Sequence, residues 1–334
     1  MAPNPETWLH PTPRGLYCEP GQFYIDPHQA VDRAVITHGH GDHARAGHGA
    51  VLASAETVAI MKVRMGETCA GAFQNYQSPL VINGVRVALV PAGHILGSRQ
   101  VVLEWQGMRI VVSGDYKRSA DPAAEPFELV PCDVFVTEAT FGLPVFRHEP
   151  AHKEAARLVG SLRANPERSH LLGVYSLGKC QRMIMLARTA GYDAPIYLHG
   201  ALIGMCELYR QLGFDLGDLR PVQDAAPAQL KGALILCPPS AVDDRWSRRF
   251  ADPLTCFASG WMRVKGRARQ RGIELPLIVS DHCDWPELMQ TIAETEAGDI
   301  WITHGREDAL VHQTTKMGRR GKALSLVGFE DEGD

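Results

Sequence analysis

Three imidazoles and one carboxylate fall within six positions in Thr37-His38-Gly39-His40-Gly41-Asp42-His43-Ala44. The stretch follows an apolar run, Ala34-Val35-Ile36, which reads as a buried strand. His38 and His40 are two apart, so near a strand end they can point to one side. Asp42 and His43 open the next element and can face a neighbouring point. Gly39 and Gly41 let the backbone turn tightly and keep side-chain bulk away from that centre. Imidazole suits zinc, iron or manganese, and imidazole mixed with carboxylate suits a catalytic metal site that keeps a position for water. The bland alternative is a polar surface turn with chance histidines; the H-x-H-x-D-H spacing argues against it.

Other elements must bring further ligands to the same place. A strand at 22–25 delivers Asp26, and the next, at 31–37, delivers the histidine cluster. A strand at 85–90 ends at Pro91-Ala92-Gly93-His94. The segments 100–105 and 108–113 form a hairpin around Gln106-Gly107, and its second arm leads into Gly114-Asp115. A strand at 133–137 ends at Glu138. Five successive strands thus carry a His, Asp or Glu just past one end, the way α/β enzymes place reactive groups on loops at a sheet edge. Residues 1–20 read as irregular. From about 145, strand and helix alternate at the spacing of βαβ units, predicting a second α/β domain with a parallel sheet. A strand at 273–279 then delivers Ser280-Asp281-His282, and a strand at 300–302 ends at Thr303-His304. A helix at 308–317 and a last strand at 323–327 follow.

The chain has 334 residues, 45% of them hydrophobic and 22% charged, with a formal net charge of −4. That is enough apolar material for a substantial core in one large or two ordinary domains. The overall charge does not announce a polyanion binder, although Arg263, Lys265, Arg267, Arg269 and Arg271 make one region locally basic. That run reads either as a track for a phosphate backbone or as a solvated face. The eight cysteines form no C-x-x-C pair and read as reduced core residues. The N-terminal residues lack the apolar core of a signal peptide, and no run approaches the ~18 residues of a membrane span. The expected location is the cytoplasm, with no membrane association.

The ordered set Asp26, His38-x-His40-x-Asp42-His43, His94, Asp115, Glu138, His282 and His304 resembles the β-CASP branch of the metallo-β-lactamase superfamily. That branch holds nucleic-acid-processing hydrolases, among them Artemis-type DNA nucleases and the pre-mRNA 3′-end endonuclease. The resemblance covers most of the chain. It implies an α/β fold, an αββα sandwich with an inserted α/β domain: 1–144 and 269–328 form the sandwich, 145–268 the insertion, and 329–334 an acidic tail. The stretches Ile25-Asp26-Pro27-His28, Val174-Tyr175-Ser176-Leu177-Gly178-Lys179 and Ser280-Asp281-His282-Cys283-Asp284-Trp285 resemble one bacterial group, the ligase-associated DNA exonucleases.

The resemblance implies roles. His38, His40 and His94 would bind one divalent ion, Asp42, His43 and His304 a second, with Asp115 bridging. Zinc is the expected metal, and manganese or iron would accept the same residues. Asp26 would hold a ligand histidine in its tautomer. His282 would protonate the leaving oxygen, with Glu138 orienting it, or would only touch a phosphate oxygen. Ser176, Gly178 and Lys179 at a helix start would contact a phosphate or be a plain helix start. Ser259, Ser280, Arg263 and Lys265 would line the substrate path, and Trp261 would stack on a base or belong to the core. The expected activity is metal-dependent DNA exonuclease action in repair, from a 5′ end and favouring single strands, with a DNA ligase and a helicase as partners. An RNA-processing endonuclease or 5′ exoribonuclease of the same fold is the alternative, and a non-catalytic nucleic-acid-binding scaffold the third.

Overall fold

The structure, a computed structural model, describes residues 4–69, 72–305, 307–324 and 326. The acidic tail expected at 329–334 lies outside the described residues. By contact the chain divides into two compact units, Met1–Phe146 with His282–Gly333, and Arg147–Asp281. The sequence reading put the second crossing at 268/269. By contact it falls after Asp281, because the strand Leu275–Leu277 pairs in parallel with Leu254–Ala258 of the second unit.

In the first unit, alternating side chains build two sheets that face one another. One runs in the order Leu9–Thr12, Gly15–Cys18, Phe23–Ile25, Arg33–Val35, Ala50–Ala53, Ala72–Asn75. The other runs Arg320–Ala323, Asp299–Gly305, Val134–Ala139, Met108–Val112, Arg99–Trp105, Val85–Pro91, Leu80–Ile82. Trp8, Leu16, Val35 and Leu52 of the first side pack with Val87, Leu103, Ile110 and Trp301 of the second. Each such side chain, removed from water, contributes roughly 1.5–3 kcal/mol. Along Val85–Pro91 the period of two sends Val87 and Leu89 to this inter-sheet core and Ala88 to the opposite face. That opposite face is covered by Leu288 and Ile292 of the helix Trp285–Glu294 and Leu310 of the helix Glu307–Lys316. Val58 and Met61 of the helix Ala55–Met65 cover the outer side of the first sheet, against Val31, Ile36 and Val51. The layers are therefore helix, sheet, sheet, helix. In the expected hairpin, Gln106 and Gly107 both take positive φ, 49° and 81°, the turn that matches the twist of two antiparallel strands.

Two expectations need correction. Of the stretch 1–20, read as irregular, the described part holds regular structure: Leu9–Thr12 and Gly15–Cys18 form an antiparallel hairpin, with Trp8 and Leu9 buried. Pro11 is tolerated there because Leu9–Thr12 is an edge strand. Among the described residues the last strand is Arg320–Ala323, meeting the expected 323–327 only at Ala323; 325 and 327 lie outside the described residues. It too is an edge, half-exposed and polar, so it has no apolar alternation to announce it.

The second unit has one six-stranded sheet, in the order Leu219–Pro221, Ile196–Leu198, Leu234–Cys237, His170–Gly173, Leu254–Ala258, Leu275–Leu277, with every pairing parallel. Its central strands read as continuous apolar runs because helices cover both faces of such sheets; Leu234–Cys237 is buried throughout. No disulfide joins the cysteines. Among the described residues no helix is long and apolar enough to cross a membrane.

Candidate metal centre

At one edge of the sandwich, the loops after four strands and the end of a fifth converge on the Asp115 carboxylate. Its Oδ2 lies 3.4 Å from His38 Nε2, 3.4 Å from His43 Nε2 and 3.8 Å from His94 Nε2. Its Oδ1 lies 3.7 Å from His304 Nδ1. His40 Nδ1 is 3.0 Å from His94 Nε2. Two groups able to hold an ion result, His38 with His40, His94 and Asp115, and His43 with Asp115 and His304. Within each group the donor atoms lie within 4.8 Å of one another. Asp42 joins no such group among the described residues; its Oδ2 stands 3.5 Å from His43 Nε2. The side chains of His38 and His94 are fully buried, whereas those of Asp42 and His304 are 18% and 15% exposed, so the centre opens on their side.

The residues behind the ligands fix their tautomers. Asp26 Oδ2 takes the His43 Nδ1 proton at 2.7 Å and the Thr37 hydroxyl at 2.5 Å, and Oδ1 accepts from Thr37 N. With its own proton given to Asp26, Thr37 Oγ1 accepts from His38 Nδ1 at 3.0 Å. One carboxylate thereby directs Nε2 of both His38 and His43 at Asp115, the outer support that metal-ligating histidines need. Thr37 was not singled out by the sequence; its only signal was its place beside His38. Against Thr37 packs Gly114, at φ +56°, where a Cβ would come 2.8 Å from the threonine side chain.

His304 arrives by a different device. In the parallel pair between Val134–Ala139 and Asp299–Gly305, Glu138 pairs with Thr303 but Ala139 pairs with Gly305. His304 is the extra residue of this bulge and sits at φ +57°. Bulges beside functional sites re-aim a side chain in this way. The same strand end presents Glu138, whose Oε2 lies 2.8 Å from His282 Nδ1 and whose Oε1 accepts from Tyr116 N at 2.9 Å. Asp115, Glu138 and His282 also lie within reach of one another, and the His282 ring is 4.6 Å from that of His94.

The electrostatics fit a cation. Burial, then the charge of His43, drives His38 well below the ordinary histidine value, so it stays a neutral donor. Its Nε2 is buried without a hydrogen-bond partner, an acceptor lone pair aimed at the centre. Burial also opposes a proton on His43, but Asp42, Asp115 and Asp26 together raise it well above 6.5. Burial pushes Asp115 up, yet His43 and His282, with hydrogen bonding from His304 and His43, hold it well below the usual carboxylate range. Asp42, Asp115 and Asp26 thus favour positive charge at this point of the centre. Four imidazoles converging on a buried carboxylate is a donor set suited to zinc, manganese or iron.

The remaining predicted residues lie in the second unit. Lys179 is buried, with Nζ 2.8 Å from Val279 O and 3.0 Å from Asp281 Oδ2. Arg182 donates to the Ser280 carbonyl and pairs with Asp281 at 3.0 Å. The N–H groups of Gly178, Lys179 and Cys180 go to Gln181 Oε1, Leu177 O and Tyr175 O. The donors expected to face a phosphate at this helix start are thus engaged within the unit, and Ser176 is the exposed member. Ser259 caps a short turn by accepting from Trp261 N, and Ser280 is buried. Lys265–Gln270 is helical, so basic residues two apart diverge around it and do not share one stripe. Arg267 lies over the Trp261 ring at 4.3 Å and Arg271 over Phe257 at 5.3 Å, while Arg263 and Lys265 are exposed.

No model of a known protein family matches the chain. Curated relatives do. A probable DNA ligase of Opitutus terrae is 27% identical over 300 residues, 87% of this chain and 28% of that protein. Endoribonuclease YSH1 of Mycosarcoma maydis is 28% identical over 246 residues, 60% of this chain and 28% of its own length. Cleavage and polyadenylation specificity factor subunit 3 of Dictyostelium discoideum is 30% identical over 141 residues, 39% of this chain and 18% of its own. The chain thus spans under a third of each of these relatives. A solved structure of a protein of unknown function from Enterococcus faecalis V583 shares the fold at TM-score 0.58 and 14% identity, covering 89% of this chain and 80% of that one. With the layered architecture, these likenesses support the fold class: a mixed α/β sandwich of the metallo-β-lactamase kind carrying an inserted α/β unit. The inserted parallel unit is the feature by which the chain resembles the β-CASP branch.

Proposed function

We propose that this chain is a metal-dependent nuclease, and more narrowly a DNA exonuclease of repair that works from a 5′ end on single strands. The observation that carries the DNA reading is the Opitutus terrae relative: nearly the whole of this chain aligns within a larger protein named as a probable DNA ligase. A module that travels with ligase chemistry belongs beside strand joining, which makes a DNA ligase, and a helicase that exposes single strands, the partners to expect.

His38, His40 and His94 would hold one divalent ion, His43 and His304 a second with Asp42 at its open side, and Asp115 would face both. Bound there, two such ions lower the pKa of water and offset charge on a phosphoryl group. The chain's own residues do the rest. Asp26 and Thr37 keep His43 and His38 in the donating tautomer. Glu138 holds Nδ1 of His282, which leaves Nε2 to hand a proton to the departing sugar oxygen. In the second unit, Arg263, Lys265 and Ser176 are the exposed groups for a phosphate backbone, while Gly178, Lys179, Ser259 and Ser280 are buried.

A second reading has its own support, since two relatives are named endoribonuclease YSH1 and cleavage and polyadenylation specificity factor subunit 3. The deciding experiment offers end-labelled DNA and RNA of one sequence to the zinc- or manganese-loaded protein. Stepwise nucleotide release from DNA is expected, abolished by Asp115→Ala. Internal cuts in RNA with DNA untouched would establish the second reading. No cleavage of either polymer would sink both.

A further inference from the structure

The helix Ala55–Met65 lies along the histidine loop and presents Ile60 and Arg64, four apart, on one face. Arg64 Nη1 donates to the Gly39 carbonyl at 2.5 Å. A Cβ at Gly41 would lie 2.9 Å from Arg64 Nη2, and one at Gly39 would lie 2.5 Å from Ile60 Cγ2. Neither glycine has a positive φ. At Gly39 it is therefore Ile60, not the backbone angle, that excludes a side chain, whereas at Gly41 a Cβ would have to push aside the tip of Arg64. Gly39 separates His38 from His40, and Gly41 separates His40 from Asp42.

We propose that Arg64 is a positioning residue for the metal centre. Its planar guanidinium bonds the carbonyl of Gly39 with one nitrogen and lies against the backbone of Gly41 with another. It thereby fixes the turn from which His38, His40 and Asp42 project, and tight retention of the ions depends on it. Lysine cannot replace it, because an ammonium on a flexible stem carries the charge without the flat, two-nitrogen contact. The proposal rests on reading the cluster as a metal centre, and it adds an outer residue that touches neither ion nor substrate.

The test uses the full-length protein loaded with zinc and challenged with a graded competing chelator, zinc release being followed with an indicator dye. Loss of an outer support typically weakens metal affinity about ten- to a hundredfold, and that range is expected for Arg64→Ala and for Arg64→Lys. Gly41→Ala is expected to weaken retention similarly when Arg64 is present, and to add little in the Arg64→Ala background, because the clash partner is gone. Should Arg64→Ala not fold, Arg64→Lys carries the same expectation. Wild-type retention in the Arg64 variants, or independent effects of the two sites, would overturn the proposal and leave the metal reading standing. A wild-type chain that takes up no zinc would overturn the metal reading and this proposal with it.

Discussion

His43 is the residue on which the charge of the centre turns. Three carboxylates raise its imidazole above 6.5 despite full burial, so an entering cation must displace a proton. Zinc affinity is therefore expected to rise with pH through the range above 6.5, with a proton released on binding; calorimetry in buffers of different ionisation enthalpy reads both. The sign for the ion-free fold is opposite. A raised histidine stabilises it fully below the unfolded value and ceases to do so as pH climbs through the folded one. His38, driven the other way, disfavours the fold as pH falls below 6.5. A second prediction concerns His282. Its alanine variant is expected to lose about 10²–10⁴ in kcat with zinc content unchanged; an equal loss of zinc would reassign it as a ligand. The convergent residues were legible from strand ends and spacing. Thr37 and Tyr116 were not, since one acts through a hydroxyl between two named residues and the other through its backbone N–H.

At the scale of elements, the centre is held by helices and strands that each do two things. The helix Ala55–Met65 grips the His94 loop at its start, where Ser54 and Thr57 hydroxyls donate to the Gly97 carbonyl at 2.7 and 3.1 Å. Further along, it holds the histidine loop through Arg64. The helix Trp285–Glu294 begins two residues after Cys283 with a reciprocal cap, Asp284 accepting from Glu287 N while Glu287 accepts from Asp284 N. Asp284→Ala is expected to cost about 1 kcal/mol, seen as a lower denaturant midpoint without a change in slope; no shift would mean the cap is redundant. Hydrophobic alternation revealed most of the strands. It did not reveal the bulge at His304, because a change of ladder partner leaves no mark in the apolar pattern. It also missed the edge strands Leu9–Thr12 and Arg320–Ala323, where exposure removes the alternation and proline carries no penalty.

For the whole molecule, the first unit is assembled from two stretches of chain separated by the second. Val134–Ala139, before the insertion, pairs directly with Asp299–Gly305, after it, so the sheet that bears the ligands is complete only when both are present. Ions held as proposed, by residues of both stretches, would tie them together. Removing them with a chelator is expected to lower the melting temperature, since a ligand present at a hundred times its Kd stabilises by about 2.7 kcal/mol; an unchanged melt would show that the ions bind no more tightly to the folded than to the unfolded chain. The order of the ligands also has a consequence in time. During translation, His38, His40, His94 and Asp115 leave the ribosome before the insertion is made, and His304 only after it. Under the proposed arrangement the first ion's set would be complete before the insertion is made, and the second's only after it, so hydrolytic competence would depend on synthesis having passed the insertion.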